Sequence, residues 1–301
     1  MSLHKTTVFY GVATALITPF QKGEIDYSAF ADLIEQQISG GIHALLVAGT
    51  TGEGATLTYQ EHHDLIAFAK ERIGGRIPLL AGCGSNSTSR AVELAQNACD
   101  AGADALLAVT PYYNKASHQG LILHYHAIAD AVTRPLMIYN VPSRTGVALQ
   151  MEEYRILAKH PNIVGVKESS GDLTLMDALI AECGKDLDVY AGNDDQLLPA
   201  LKLGAVGGIS VYSNLYPKAM SHLYRLYINE SKTLAEETQR TLIPYYKALF
   251  WEVNPIPVKY LASEMGLCLA EYRLPLCPPS ADCRRRLKKA FGIESEKTVD
   301  K

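Results

Sequence analysis

Eight short apolar runs recur along this chain, and amphipathic stretches separate most of them. The runs span residues 11–17, 44–48, 77–81, 105–109, 135–139, 163–166, 187–191 and 206–210. Each is short and aliphatic or β-branched, which reads as a strand buried on both faces. The intervening stretches carry helical spacing. Residues 27–39 place Phe30, Leu33, Ile34 and Ile38 on one face. Residues 87–99 open with capping residue types and carry Ala91, Leu94, Ala95 and Ala98 at helical intervals. Residues 173–180 and 196–203 repeat the pattern, each ending near glycine or a small residue. Strand–helix alternation requires parallel strands joined by crossover helices. Eight such units predict an α/β fold, a closed (β/α)8 TIM barrel. A doubly wound open sheet is the alternative, and the regularity of the units favours the barrel.

Beyond about Tyr216 the strand pattern stops. Residues 232–251, 256–266 and 280–291 read as helices, with Asn254-Pro255 as a cap and first turn. The expected organisation is a catalytic barrel over 1–230 and a C-terminal three-helix domain over 231–301, whose polar end, 294–301, should fray.

Composition excludes several classes. A net charge of −4 provides no electrostatic footprint for nucleic acid. No apolar stretch is long enough to span a membrane, and residues 1–7 lack the apolar core of a signal peptide. Cys83, Cys99, Cys183, Cys268, Cys277 and Cys283 form no Cys-x-x-Cys and read as reduced thiols of a cytoplasmic protein. His62, His63, His118, His124 and His126 sit on helical stretches without zinc-site spacing, so no metal is expected. Gly82-Cys83-Gly84-Ser85-Asn86-Ser87 lacks the last glycine of a dinucleotide fingerprint. No Walker sequence or Gly-x-Ser-x-Gly elbow occurs.

In such barrels chemistry collects at the C-terminal ends of the strands. Here those ends are polar: Gly49-Thr50-Thr51-Gly52-Glu53, Thr110-Pro111-Tyr112-Tyr113-Asn114, Tyr139-Asn140-Val141-Pro142-Ser143-Arg144-Thr145-Gly146, Lys167, Gly192-Asn193-Asp194-Asp195 and Ser210. Each has a bland reading. The threonines could cap a turn, Tyr139 could be a core aromatic, and Asn193-Asp194-Asp195 reads as a cap for the following helix. Lys167 could snorkel to solvent or pair with Glu168. A buried lysine, however, has a lowered pKa, and a neutral amine is a nucleophile. The gathering of lysine, hydroxyls and arginine on one rim points to a carbonyl-processing Schiff-base enzyme.

The Gly49–Glu53, Tyr139–Gly146 and Val166-Lys167-Glu168-Ser169-Ser170-Gly171 segments closely resemble those of the dihydrodipicolinate synthase family, of the N-acetylneuraminate lyase superfamily of class I aldolases. Thr110–Asn114 and Asn254-Pro255-Ile256-Pro257-Val258-Lys259 share the likeness, which runs from about Tyr10 to about Phe291. The resemblance implies a homotetramer, a dimer of dimers. It implies condensation of pyruvate with L-aspartate 4-semialdehyde, with no cofactor beyond a covalent Schiff base at Lys167. Tyr139, Thr50 and Tyr113 match the family's proton relay, Tyr113 reaching in from the neighbouring subunit. Thr50 and Thr51 match the cradle for the pyruvate carboxylate, and Arg144 the receiver of the semialdehyde carboxylate. Gly192 and Ile209 match backbone positions lining the site. Sister sugar-acid aldolases and N-acetylneuraminate lyase share the lysine and tyrosine, but Arg144 distinguishes the synthases. A noncatalytic anion-binding barrel is the remoter alternative. In lysine-inhibited members an acidic residue receives the inhibitor's ammonium. Arg90 stands at that position here and Tyr59 at a nearby one, while Asn86, His62 and Tyr112 match. Weak or absent inhibition by lysine is therefore expected.

Overall fold

The computed structural model describes residues 5–293. Its ten strands are β1 (Gly11–Ala15), β2 (Phe20–Gln21), β3 (Glu24–Ile25), β4 (Ala44–Val47), β5 (Leu79–Gly82), β6 (Ala105–Val109), β7 (Leu136–Asn140), β8 (Ile163–Glu168), β9 (Asp188–Ala191) and β10 (Gly207–Ser210). β2 and β3 form a small antiparallel pair absent from the sequence reading. The other eight close a barrel in chain order, and β1 pairs parallel with both β4 and β10. The closed barrel, rather than the open sheet, is the fold.

Two apolar layers follow from side-chain alternation. Ala13, Leu46, Leu80, Leu107, Met137, Tyr139, Tyr190 and Ile209 fill the interior. Val12, Leu45, Leu79, Ile138 and Val166 face outward against the helices. Closure is tight where β10 meets β1. A Cβ on Gly207 would lie 1.9 Å from the Gly11 carbonyl oxygen, so glycine is required there.

Beyond β10 the described residues hold no further strand. Helices Lys232–Ala248, Ile256–Glu264 and Ala281–Phe291 follow, close to the predicted spans. One detail differs. Asn254 is not a cap and Pro255 is not the first helical residue. Pro255 occupies the N-cap position, no side chain caps this helix, and the Asn254 amide is engaged elsewhere. Ser87 does stand at an N-cap, but its hydroxyl meets Ser89 rather than the helix backbone. The segment 294–301, expected to fray, lies outside the described residues. No described helix is long and apolar enough to cross a membrane.

Candidate active site

β8 extends past its apolar run to include Lys167 and Glu168. Strict alternation from outward-facing Ile163 would turn Lys167 outward too. The register with β7 instead slips: Leu136 pairs with Ile163, but the adjacent Met137 pairs with Gly165. This bulge leaves Val164 inside the barrel, Val166 outside, and Lys167 inside. Gly165 permits it, because a Cβ there would approach the Asp188 carbonyl oxygen to 2.9 Å.

Lys167 and Tyr139 are register partners at the barrel mouth. The Lys167 Nζ lies 4.4 Å from the centre of the Tyr139 ring. Lys167 is only 6% exposed. Burial lowers its pKa to about 8; the Arg144 charge adds to that shift and Asp194 opposes it. Burial raises the Tyr139 pKa, and the nearby Arg144 charge and the Ser169 and Thr50 hydroxyls hold the rise back. Lys167 does not pair with Glu168. That carboxylate points outward and is saturated by Asn140 Nδ2, the Tyr154 hydroxyl and the Ser170 backbone N–H, at 2.7–3.1 Å. Those bonds lock the ends of β7 and β8 side by side.

The Gly49–Glu53 turn follows β4 and is tightly constrained. Ala48 and Glu53, flanking it, both adopt left-handed backbone conformations, with φ of 52° and 53°. Thr51 is buried and its Oγ1 accepts from Asn254 Nδ2 at 3.0 Å, whereas Thr50 is exposed beside Tyr139. Glu53 and Lys259 form an ion pair at 2.6 Å with both side chains wholly buried. Arg144 sits on the short helix Pro142–Thr145 after β7, and its Nη2 donates to the Asn254 carbonyl at 3.1 Å.

Gly192 donates its N–H to the Glu168 carbonyl at 2.8 Å, and a Cβ there would fall 1.7 Å from Ser169 Oγ. Ile209 is buried on β10. The structure therefore gathers Lys167, Tyr139, Thr50, Thr51, Arg144, Gly192 and Ile209 at one end of the barrel. Tyr113 is not brought to its own chain's lysine. It is 89% exposed, with φ of 72° on the loop after β6.

The helix-cap reading of Asn193-Asp194-Asp195 is overturned. Asn193 and Gln196 make no side-chain cap. Asp194 instead accepts from the Val211 and Tyr212 backbone N–H groups at 3.1 and 2.9 Å, tying the end of β9 to the end of β10. Around the expected effector positions, Tyr59 donates to the Glu93 carbonyl at 2.9 Å. His62 is buried with both ring nitrogens engaged, by the Gly82 carbonyl and Asn97. Arg90 is exposed. Asn254, Ser169 and Asp194 are the site-lining residues to which the sequence reading assigned no role there. Each carried a signal: Asn254 and Ser169 through the Asn254–Lys259 and Val166–Gly171 segments, and Asp194 through its place at a polar strand end.

An amine near neutrality, hydroxyls around it and a guanidinium at the rim suit imine chemistry on a carboxylate-bearing carbonyl compound. The relatives agree. The 4-hydroxy-tetrahydrodipicolinate synthase of Exiguobacterium sibiricum is 49% identical over 270 residues, covering 89% of this chain and 92% of its own. The dihydrodipicolinate synthase of Aquifex aeolicus superposes with a TM-score of 0.92 at 40% identity, covering 94% of this chain and 97% of its own. The chloride-inhibited enzyme of Acinetobacter baumannii, solved in complex with pyruvate, matches at 41% identity and a TM-score of 0.92, over 95% of this chain and 98% of its own. The model of the dihydrodipicolinate synthetase family matches residues 8–293, and the chain belongs to that family.

Proposed function

We propose that this protein condenses pyruvate with L-aspartate 4-semialdehyde to give 4-hydroxy-tetrahydrodipicolinate, the opening step of the diaminopimelate branch of lysine biosynthesis. It acts as a lyase of the class I aldolase type, in the cytoplasm. The observation that carries the reading is Lys167: a buried amine with no carboxylate in contact among the described residues, its pKa lowered to about 8, set against Tyr139 in a chain of this family.

The neutral Lys167 amine adds to C2 of pyruvate, and the carbinolamine loses water to form an iminium. That cation draws electrons from C3, which gives up a proton and becomes an enamine carbon. C3 then attacks the aldehyde carbon of the second substrate, and the new alkoxide takes a proton. The substrate's own amino group attacks C2, displaces the Lys167 amine and closes the ring. One water is released overall. Tyr139 and Thr50 carry protons in these steps, with Tyr113 supplied by the neighbouring subunit of a dimer of dimers. Thr51 holds the pyruvate carboxylate, Arg144 that of the semialdehyde, and Gly192 and Ile209 line the pocket. Arg144 stands against a sugar-acid aldolase, for a guanidinium suits the second carboxylate of a short dicarboxylic adduct. The division into a barrel over 1–230 and a helical domain over 231–301 belongs to the same reading.

Borohydride reduction with pyruvate tests it. Peptide mass spectrometry should find the reduced pyruvyl group on Lys167, and Lys167→Ala should lose both the label and turnover, the latter by on the order of 10⁴-fold or more. Undiminished labelling of Lys167→Ala would overturn the assignment. We also propose that L-lysine inhibits weakly or not at all. Arg90 repels the ammonium that a carboxylate would attract, a difference of roughly 2 kcal/mol at ~4 Å even in water. Half-inhibition at submillimolar lysine in initial-rate assays would contradict this, while gained sensitivity in Arg90→Glu would support it.

A further inference from the structure

Two rim loops that are not neighbours in the barrel meet at one residue. The turn after β4 carries Thr51 and the short helix after β7 carries Arg144; β5 and β6 stand between them. Asn254 bridges the gap. Its side-chain Nδ2 donates to Thr51 Oγ1 at 3.0 Å, and its backbone carbonyl accepts from Arg144 Nη2 at 3.1 Å. Asn254 is 5% exposed, and its Oδ1 has no hydrogen-bond partner among the described residues, so the Thr51 bond alone orients the amide.

The segment bearing Asn254 is itself pinned to the same turn. Lys259 forms the buried ion pair with Glu53, just beyond Thr51, at 2.6 Å. The Arg273 backbone N–H donates to the other Glu53 oxygen at 3.1 Å. Arg273 also reaches Thr56 O at 3.3 Å and the Glu61 carboxylate at 2.8 Å. Thr51 and Asn254 are thus held by paired clamps between one turn and one C-terminal segment, and Arg144 is fastened to the clamp's backbone.

We propose that Asn254 is a positioning residue that sets the spacing between Thr51 and Arg144 and thereby selects the chain length of the aldehyde partner. The inference rests on the proposed condensation. In that reaction the carbon–carbon adduct has a carboxylate at each end, one held at Thr51 and the other at Arg144. A fixed separation of those two anchors accepts one chain length. Without the Asn254 side chain the Glu53 clamps still hold the turn, but the Thr51 hydroxyl loses its hydrogen bond to the segment that holds Arg144 and is free to shift, and a chain longer by one methylene is no longer penalised in the same way.

The test compares two aldehyde acids lacking the amino group, 4-oxobutanoate and 5-oxopentanoate, as partners for the pyruvyl enzyme. With no amino group to close the ring, water adds to the C2 iminium and displaces the Lys167 amine, and the released open-chain 4-hydroxy-2-oxo dicarboxylate is followed by mass spectrometry. The native enzyme should prefer the shorter acid by about 10–200-fold in kcat/KM, the range for one methylene in a fitted pocket. Asn254→Ala should shrink that preference by roughly two- to tenfold or more and raise KM for pyruvate, while borohydride trapping at Lys167 persists at high pyruvate. Should Asn254→Ala prove too unstable to purify, Asn254→Ser gives the same comparison with a shorter donor. An unchanged length preference in a folded variant, even one with a lowered Tm, would make Asn254 a structural tie only and overturn the proposal. Failure of the native enzyme to condense aspartate semialdehyde itself would overturn the proposed function and this inference with it, whereas condensation of the semialdehyde but of neither acid would overturn the inference alone. Native turnover of aspartate semialdehyde without preference between the two acids would overturn the inference alone.

Discussion

Two lysines are buried among the described residues, and they do opposite things. Lys167 rises from β8 into the barrel mouth with an aromatic face beside it and, among the described residues, no carboxylate in contact. Lys259 lies under the Gly49–Glu53 turn, 2.6 Å from Glu53 and over the Phe20 ring at 4.1 Å. Burial lowers the pKa of both, but at Lys259 the adjoining Glu53 carboxylate works against the shift. Desolvation alone therefore does not make a nucleophile. It does so where the nearest charges are balanced, as at Lys167 between Asp194 and Arg144, and not where a carboxylate closes on the ammonium. A buried pair is a structural clamp, whereas a buried unpaired amine is a reagent.

The sharpest way to break this contrast is to replace each lysine by methionine and measure unfolding in denaturant at pH 7. Lys259→Met leaves the Glu53 carboxylate buried without its partner and should destabilise by about 3–5 kcal/mol. Adding Glu53→Gln should recover most of that loss. Lys167→Met should act in the other direction, stabilising by up to about 3 kcal/mol while abolishing catalysis. The sign follows from linkage. The folded pKa of about 8 lies below the 10.5 usual for a lysine, so below pH 8 folding must hold a charged amine that burial disfavours. Native stability from this group is recovered as pH rises from about 8 to 10.5, and the Lys167→Met difference should fade across that window. Equal destabilisation by both substitutions would erase the distinction.

A smaller effect sharpens the electrostatics around Lys167. Arg144 lowers its pKa, so Arg144→Ala should move the pH midpoint of pyruvate trapping upward. The same variant should retain trapping at high pH yet lose use of aspartate semialdehyde by roughly 30-fold or more, as for truncating one partner of a charged hydrogen-bonded pair. If trapping fell as far as semialdehyde turnover, Arg144 would not be the receiver of the second carboxylate.

Some of this was legible in the chain and some was not. Lys167 stood out because an ammonium at the end of an Ile-Val-Gly-Val run is locally anomalous. The threonine turn, Tyr139 and Arg144 stood out because polar residues crowded the strand ends. Glu168, read as a possible partner of Lys167, proved to be engaged by Asn140, Tyr154 and Ser170 on the far face of the strand. Asp194 resembled a helix cap by type and position, yet its Oδ2 accepts from the Val211 and Tyr212 backbone N–H groups at the next strand end. Asn254 likewise resembled a cap, although its amide reaches Thr51, 203 residues away in sequence. Adjacent residues advertise local bonds, yet each of these three side chains is also, or only, used for a distant one.

Sequence alone determined eight alternating strand–helix units, which have few ways to bury both faces of every strand, and favoured a closed barrel over an open doubly wound sheet; the pairing of β1 with β10 decided it. It also determined which residue types would meet at the rim, since strand ends converge there in any such barrel. Tertiary structure decided which lysine became free and which became fixed. A one-residue slip between β7 and β8 turned Lys167 inward, and the return of the C-terminal segment brought Lys259 and Asn254 onto the β4 turn. Periodicity records only which face a residue takes in an unbroken strand. A bulge and a contact across some 200 residues depend on how the whole barrel closes.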